Sequence, residues 1–208
     1  MKTPFYLLLI FLMLIVTSCR PSGTNEPVVS VAPTATATDA VYVADSLGRI
    51  RAFSLDGTKQ WSVSLGDEIS RLNGRNSHDI RIKYLAAERD GKLFGLARQL
   101  TGAHTGDTYL FALNGNHIVW QRSVQYPSQG VAPLAVGQTA VYLAANNGTL
   151  SAFARENGNP LWQYRVSQAA LGSPTVGADG TIYVAGADQD LHAVGTDGKP
   201  RWVIKTQP

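Results

Sequence analysis

The sequence predicts an all-β chain, a β-propeller of four four-stranded blades, and three observations predict it. Four tryptophans, Trp61, Trp120, Trp162 and Trp202, recur at separations of 59, 42 and 40 residues. Upstream of three of them one phrase recurs: Val31-Ala32-Pro33 with Val41-Tyr42-Val43, Val131-Ala132-Pro133 with Val141-Tyr142-Leu143, and Gly172-Ser173-Pro174 with Ile182-Tyr183-Val184. The proline stands nine residues before the tyrosine each time, and the tyrosine 19, 20 and 19 residues before the tryptophan. Each tryptophan strand also follows a tight-turn dipeptide: Asp56-Gly57, Asn114-Gly115, Asn157-Gly158 or Asp197-Gly198. A repeat of about 40 residues built from several short strands is the signature of a propeller blade.

Ahead of the blades, Lys2 is followed by an apolar run from Phe5 to Val16 and then by Thr17-Ser18-Cys19. Twelve apolar residues fall short of the roughly 20 that a spanning helix needs. A positive charge before such a run, with small residues after it, reads as a signal peptide over 1–18. Val16-Thr17-Ser18-Cys19 resembles the bacterial lipobox, which implies acylation of Cys19, a short tether over 19–29 and an extracytoplasmic, membrane-anchored chain. In an organism with an outer membrane, that membrane is the expected site. The alternative is an ordinary cleaved signal with a stray cysteine. Cys19 is the sole cysteine, so the folded part has no disulfide and depends on its core.

The blades are expected at about 30–66, 79–125, 130–167 and 171–206. The Thr-, Ala- and Pro-rich stretch from Val28 to Thr38 looks like a linker, yet Pro33 is in register with Pro133 and Pro174, which makes it the first strand of blade one. In blade four, Ser173–Val176, Thr181–Ala185, Asp190–Val194 and Arg201–Lys205 alternate with turn residues. Asp179-Gly180 and Asp197-Gly198 suit tight hairpins, because such turns demand positive φ. No segment after the signal shows a 3.6-residue apolar period, so no helix is expected.

Blade two departs from the pattern. Asp90-Gly91-Lys92-Leu93-Phe94 matches Asp179-Gly180-Thr181-Ile182-Tyr183 and puts Phe94 at the tyrosine position, but Trp120 follows 26 residues later. The surplus lies around Gln99–Asp107, and a second one follows Trp61 around Asp67–Asp79. In an up-and-down blade both insertions emerge on one face, which makes that rim the candidate recognition surface. Its candidate residues are Arg71, Arg75, His78, Arg98 and His104. Arginines suit bidentate capture of carboxylates or phosphates; solvated loop decoration is the competing reading.

These repeats resemble the PQQ-like, quinoprotein-type propellers over essentially all of Val28 to Lys205. In that family a motif of Ala, spacer, Thr-Gly, spacer, Trp docks each tryptophan between neighbouring blades. Ala152, Gly158 and Trp162 keep the family spacing, with Asn157 at the usual threonine, whereas Ala52–Trp61, Ala112–Trp120 and Ala193–Trp202 are one or two residues shorter. The resemblance implies two classes of function. One is a PQQ-dependent oxidoreductase with eight blades, bound calcium or lanthanide, a catalytic aspartate and often a vicinal cysteine pair. The other is a non-enzymatic envelope lipoprotein whose loops bind protein partners. Four repeats and one cysteine outside them favour the second. The leading expectation is therefore a non-enzymatic protein-binding or scaffolding lipoprotein, with no cofactor and no catalytic residue. Small-ligand or glycan binding in the central channel is a third reading.

Several signals take simpler explanations. The repeated phase of the tryptophans favours blade packing over carbohydrate or quinone stacking. The rim histidines and aspartates lack tight ligand spacing, so no metal is assigned. Asn147-Gly148-Thr149 matches a glycosylation sequon and reads as a turn; Asp188 and Asp190 beside Gly186 suggest calcium but fit a hairpin turn. No Ser-His-Asp order or phosphate loop is present. The segment after the signal carries 17 basic and 15 acidic side chains without a dense basic run, which argues against nucleic acid. Four blades close into a small ring, remain a truncated copy of a longer propeller, or form a half-ring whose exposed ends need cover. The favoured arrangement is the half-ring that associates, its ends covered either by a homodimer completing an eight-bladed ring or by an envelope protein partner.

Overall fold

The computed structural model describes residues 32–35, 40–45, 47–73, 79–100, 106–124, 134–167 and 172–206. Cys19, the leader and the tether fall outside them. Four antiparallel four-stranded sheets follow one another along the chain, each ordered as a simple meander. Blade one is β1 (Ala32–Ala35), β2 (Ala40–Ala44), β3 (Arg49–Ser54) and β4 (Lys59–Ser64). A helix, α1 (Leu65–Asn73), precedes blade two: β5 (Ile80–Ala87), β6 (Lys92–Gln99), β7 (Thr108–Asn114) and β8 (His117–Val124). Blade three is β9 (Ala135–Val136), β10 (Ala140–Ala144), β11 (Thr149–Ala154) and β12 (Pro160–Arg165). Blade four is β13 (Thr175–Val176), β14 (Ile182–Ala185), β15 (Asp190–Val194) and β16 (Pro200–Lys205). The first strands touch between blades one and two, β1 with β5, and between blades three and four, β9 with β13, so each of these pairs of sheets fans out from an inner edge. This is an all-β, propeller-like fold.

The repeated alanine and tryptophan have one geometric meaning. Ala52, Ala112, Ala152 and Ala193 stand opposite Trp61, Trp120, Trp162 and Trp202 across the third and fourth strands. A β-bulge follows the alanine in every blade. A buried methyl group opposite the indole leaves room for it, and the bulge turns the outer strand there. Each indole then leans on its own blade's second-strand aromatic: Tyr42–Trp61 at 5.7 Å, Phe94–Trp120 at 6.1 Å, Tyr142–Trp162 at 5.8 Å and Tyr183–Trp202 at 5.7 Å between centroids. All four pairs are tilted, by 38° to 47°, as aromatic quadrupoles prefer. Phe94 occupies the tyrosine position, as its spacing predicts.

Three apolar cores lie between successive blades. Tyr42, Ile50 and Ala52 pack with Leu93 and Phe111; Phe94, Leu96 and Trp120 with Val141 and Leu143; and Tyr142, Leu150 and Ala152 with Ile182 and Val184. The outer ends differ. Val141, Leu143 and Phe153 are buried against blade two, whereas their counterparts Val41, Val43 and Phe53 in blade one are half-buried. On blade four, all of β16 is exposed and Trp202 keeps 39% of its surface in water.

The expectation of no helix is overturned by α1. The cause is tertiary burial: Leu65 and Ile69, one turn apart, are fully buried in the core between blades one and two. The Ser64 hydroxyl accepts from the Asp67 amide at 3.4 Å, Asp67 and Glu68 occupy the first turn and Arg71 the last, which suits the helix dipole. Leu65, Ile69 and Leu72 do stand at helical spacing, but three apolar residues over nine make too short a stripe to stand out as a period, and only the first two are buried.

Candidate functional site

The meander has two rims. One carries the blade-to-blade connections and the turns between second and third strands; the other carries the remaining hairpin turns. Both insertions lie on the first rim. The Leu65 amide donates to the Gly48 carbonyl at 2.9 Å, which ties α1 to the second turn of blade one. The Leu100 amide donates to the Asp79 carbonyl at 2.7 Å, so the chain leaving β6 meets the chain entering β5. Gly48 in turn lies against the Ile80 backbone, which brings the two ties together on this rim.

Of the five rim candidates, Arg71 and Arg98 are described. Arg71 is exposed on α1 and donates to Glu68 at 2.9 Å; that carboxylate holds the guanidinium above its usual pKa. Arg98 is half-buried near the end of β6, opposite Arg81 of β5 and Thr108 of β7. Arg75, His78 and His104 lie outside the described residues. Beside Arg71 the exposed Leu72 gives the outer side of α1 an apolar contribution.

The tryptophans divide by position. Trp120 donates from Nε1 to the Arg155 carbonyl at 2.9 Å, and Trp162 to the Thr196 carbonyl at 2.8 Å, so each is locked to the following blade. Trp61 packs against the core between blades one and two, and Trp202 stands at the outer end of blade four.

The other rim holds a cleft of about 800 Å³ between blades two, three and four, lined by Glu88, Val136, Tyr142, Arg155, Val176 and Gly177 among others. Arg155 spans blades there. It reaches Asp90 at 3.0 Å, Glu88 at 3.5 Å and the Gly137 carbonyl at 3.1 Å, with its guanidinium carbon 5.3 Å from the Phe94 centroid. Partial burial pushes the Asp90 carboxyl up, but the Lys92 amide and the Arg155 and Lys92 charges hold it below its usual range. With two carboxylates already on Arg155, the cleft is a poor anion trap.

On the first rim, Asp45 is 4% exposed and binds both Arg49, at 2.9 Å, and Arg51, at 3.0 Å. Burial raises its pKa, yet the Arg49 and Leu47 amides and the Arg49 guanidinium bring it below the ordinary carboxylate value. Asn147 accepts from the Thr149 amide at 3.1 Å, with Gly148 at φ 85°, so the sequon-like triplet is a turn. The sequence reading missed His192, which stands two residues after Asp190 on β15 and so on the same face of the strand. That alternation was the available signal.

Comparison with known proteins places this architecture. The family model described as outer membrane protein assembly factor BamB, a PQQ-type repeat, matches residues 104–208, and the chain belongs to that PQQ-like repeat family. No curated protein matches the chain. A crystal structure of a protein of unknown function from Bacteroides caccae is similar over 87% of this chain, at a TM-score of 0.59 and 12% identity. The computationally designed Ika8 protein is similar over 81%, at 0.57 and 16%. The chain spans 62% and 47% of those two chains.

Proposed function

We propose that this member of the PQQ-like repeat family is a non-enzymatic, lipid-anchored cell-envelope module that binds a protein partner through the rim carrying α1. The supporting observation is the rim itself. Two insertions absent from blades three and four converge there, tied by the Leu100–Asp79 hydrogen bond, and one of them folds into a helix buried through Leu65 and Ile69. Its outer surface offers Arg71 and Leu72 to solvent, the mixed polar and apolar character of a contact surface. The family description, an outer membrane assembly factor, supports an assembly role in the envelope. Photo-crosslinking from α1 in envelope membranes tests it. Arg71→Glu with Leu72→Ser removes the crosslinked partner and leaves the melting temperature unchanged; capture that persists sinks the assignment. Cys19→Ser is expected to release the chain from membranes.

A second reading, assembly with another copy, has its own observation. Trp120 seats on Gly158 of the next blade and Trp162 on Gly198, whereas no indole seats on Gly115. Trp202 is exposed, and Gly57, in the matching Asp-Gly turn of blade one, has open space around it. Trp202 of one copy therefore fits the Gly57 turn of another, and two such joints complete an eight-bladed ring. Light scattering is expected to give a dimer that Trp202→Ala dissociates; a monomer at all concentrations overturns it.

The enzymatic alternative, a PQQ-dependent oxidoreductase or a part of one, requires calcium-dependent quinone binding, and a flat titration removes it. Small-ligand or glycan binding in the central channel is the third reading, and a ligand screen tests it.

A further inference from the structure

We propose that Asp188, Asp190 and His192 bind a divalent transition-metal ion at the boundary of blades three and four. One carboxylate oxygen of each aspartate and one ring nitrogen of His192 lie within 4.8 Å of one another. Asp190 and His192 share a face of β15 by simple alternation. Asp188 joins them because the turn folds back through Gln189, at φ 67°, so that Asp188 Oδ1 accepts from the Asp190 amide at 3.2 Å.

His192 points to a ligand independently of the aspartates. It is 6% exposed, on a strand packed against blade three. Its Nδ1 lies 3.1 Å from the Tyr164 hydroxyl, and its Nε2 is buried with no hydrogen-bond partner among the described residues. A buried polar nitrogen without a partner is costly and calls for an explanation. An imidazole held at one nitrogen by a fixed hydroxyl, with the other nitrogen unused, is the support that metal-binding histidines receive.

Blade one sharpens the argument. The position that His192 holds opposite Val184 is held by Arg51 opposite Val43 in blade one. There the guanidinium neutralises Asp45 from within the chain. In blade four no ion pair reaches Asp188 or Asp190 among the described residues, although Lys205 is paired in register with Asp190. Two carboxylates and an imidazole together supply the countercharge and donor set of a zinc or manganese ion. Calcium, which takes six to eight oxygens, fits this set poorly. Three protein donors leave further coordination positions for water or for a group on a partner.

Calorimetric titration of the chelator-treated chain with zinc, manganese and calcium chlorides tests the site. The expected result is saturable binding of one zinc or manganese ion per chain, and none of calcium. Asp188→Asn with Asp190→Asn keeps the turn and is expected to abolish binding. Tyr164→Phe keeps one site per chain and weakens it about tenfold. The ring-proton resonance of His192 in the unaltered chain is expected to move with the first equivalent of zinc. No saturable binding, unchanged affinity in the double asparagine variant, or a His192 signal that stays still while other histidines respond overturns the proposal.

Discussion

Trp120 lies directly against Gly158 of the next blade: a Cβ on that glycine would stand 2.4 Å from Cε3 of the indole. Gly158 is therefore constrained twice, by φ 69° and by the ring above it. Gly57 has the same turn chemistry and φ 85°, but nothing within 4 Å. Alanine at 57 is expected to cost only the left-handed penalty, about 1 kcal/mol. At 158 it adds overpacking, for about 2–4 kcal/mol in all. Denaturant midpoints of the two variants check the difference, and equal losses would mean that the indole does not depend on that seat.

Gln189 carries the one positive φ of a non-glycine residue among those described, at the position where blades one and three have Gly48 and Gly148. Gln189→Gly is expected to stabilise the chain by about 0.5–1 kcal/mol, the relieved strain exceeding the added chain entropy of the unfolded state. A raised unfolding midpoint with an unchanged m value is the readout.

Asp179 ties the first turn of blade four to its outer strand. Hydrogen bonds from the Thr181 hydroxyl at 2.6 Å and amide at 3.0 Å, then from Arg201 at 2.7 Å, hold its carboxyl at about 2 against the ordinary 3.8. A depressed pKa contributes stability that is complete above the unfolded value and is lost as pH falls through about 2. Melting curves in acid are expected to drop less steeply over that window for Asp179→Asn than for the unaltered chain. Parallel curves would show that the carboxylate is uncoupled from folding.

The helix separates core from surface within one turn. Ile69 is fully buried, whereas Leu72 is exposed. Ile69→Ala is expected to cost about 3 kcal/mol, and Leu72→Ala to stay within about 0.5 kcal/mol. A large loss at Leu72 would show that it packs against the protein rather than facing a partner.

Much of the architecture is legible in the chain because it is local and repeated. The alanine opposite each tryptophan, the aromatic that each indole leans on and the Asx-Gly turn all recur at one phase, and alternation along a strand carries them to fixed faces. Rim residues were less legible. The insertion after Trp61 marks Arg71 in the sequence but not its place on a helix, because only Leu65 and Ile69 form the buried side.

From the sequence alone follow the blade repeat, the strand order within each blade and the turn chemistry, since hydrogen bonding between chain neighbours settles all three. Tertiary structure decided the rest. Four Asx-Gly turns read alike, yet only Gly158 and Gly198 seat an indole; Gly115 does not, although blade one packs against its blade, because the seat depends on how the neighbouring sheet is placed. Likewise His192 gains its meaning from Tyr164 on another blade, 3.1 Å away in space and 28 residues distant in the chain. Contacts between sheets arise from packing, and packing is not periodic in the sequence.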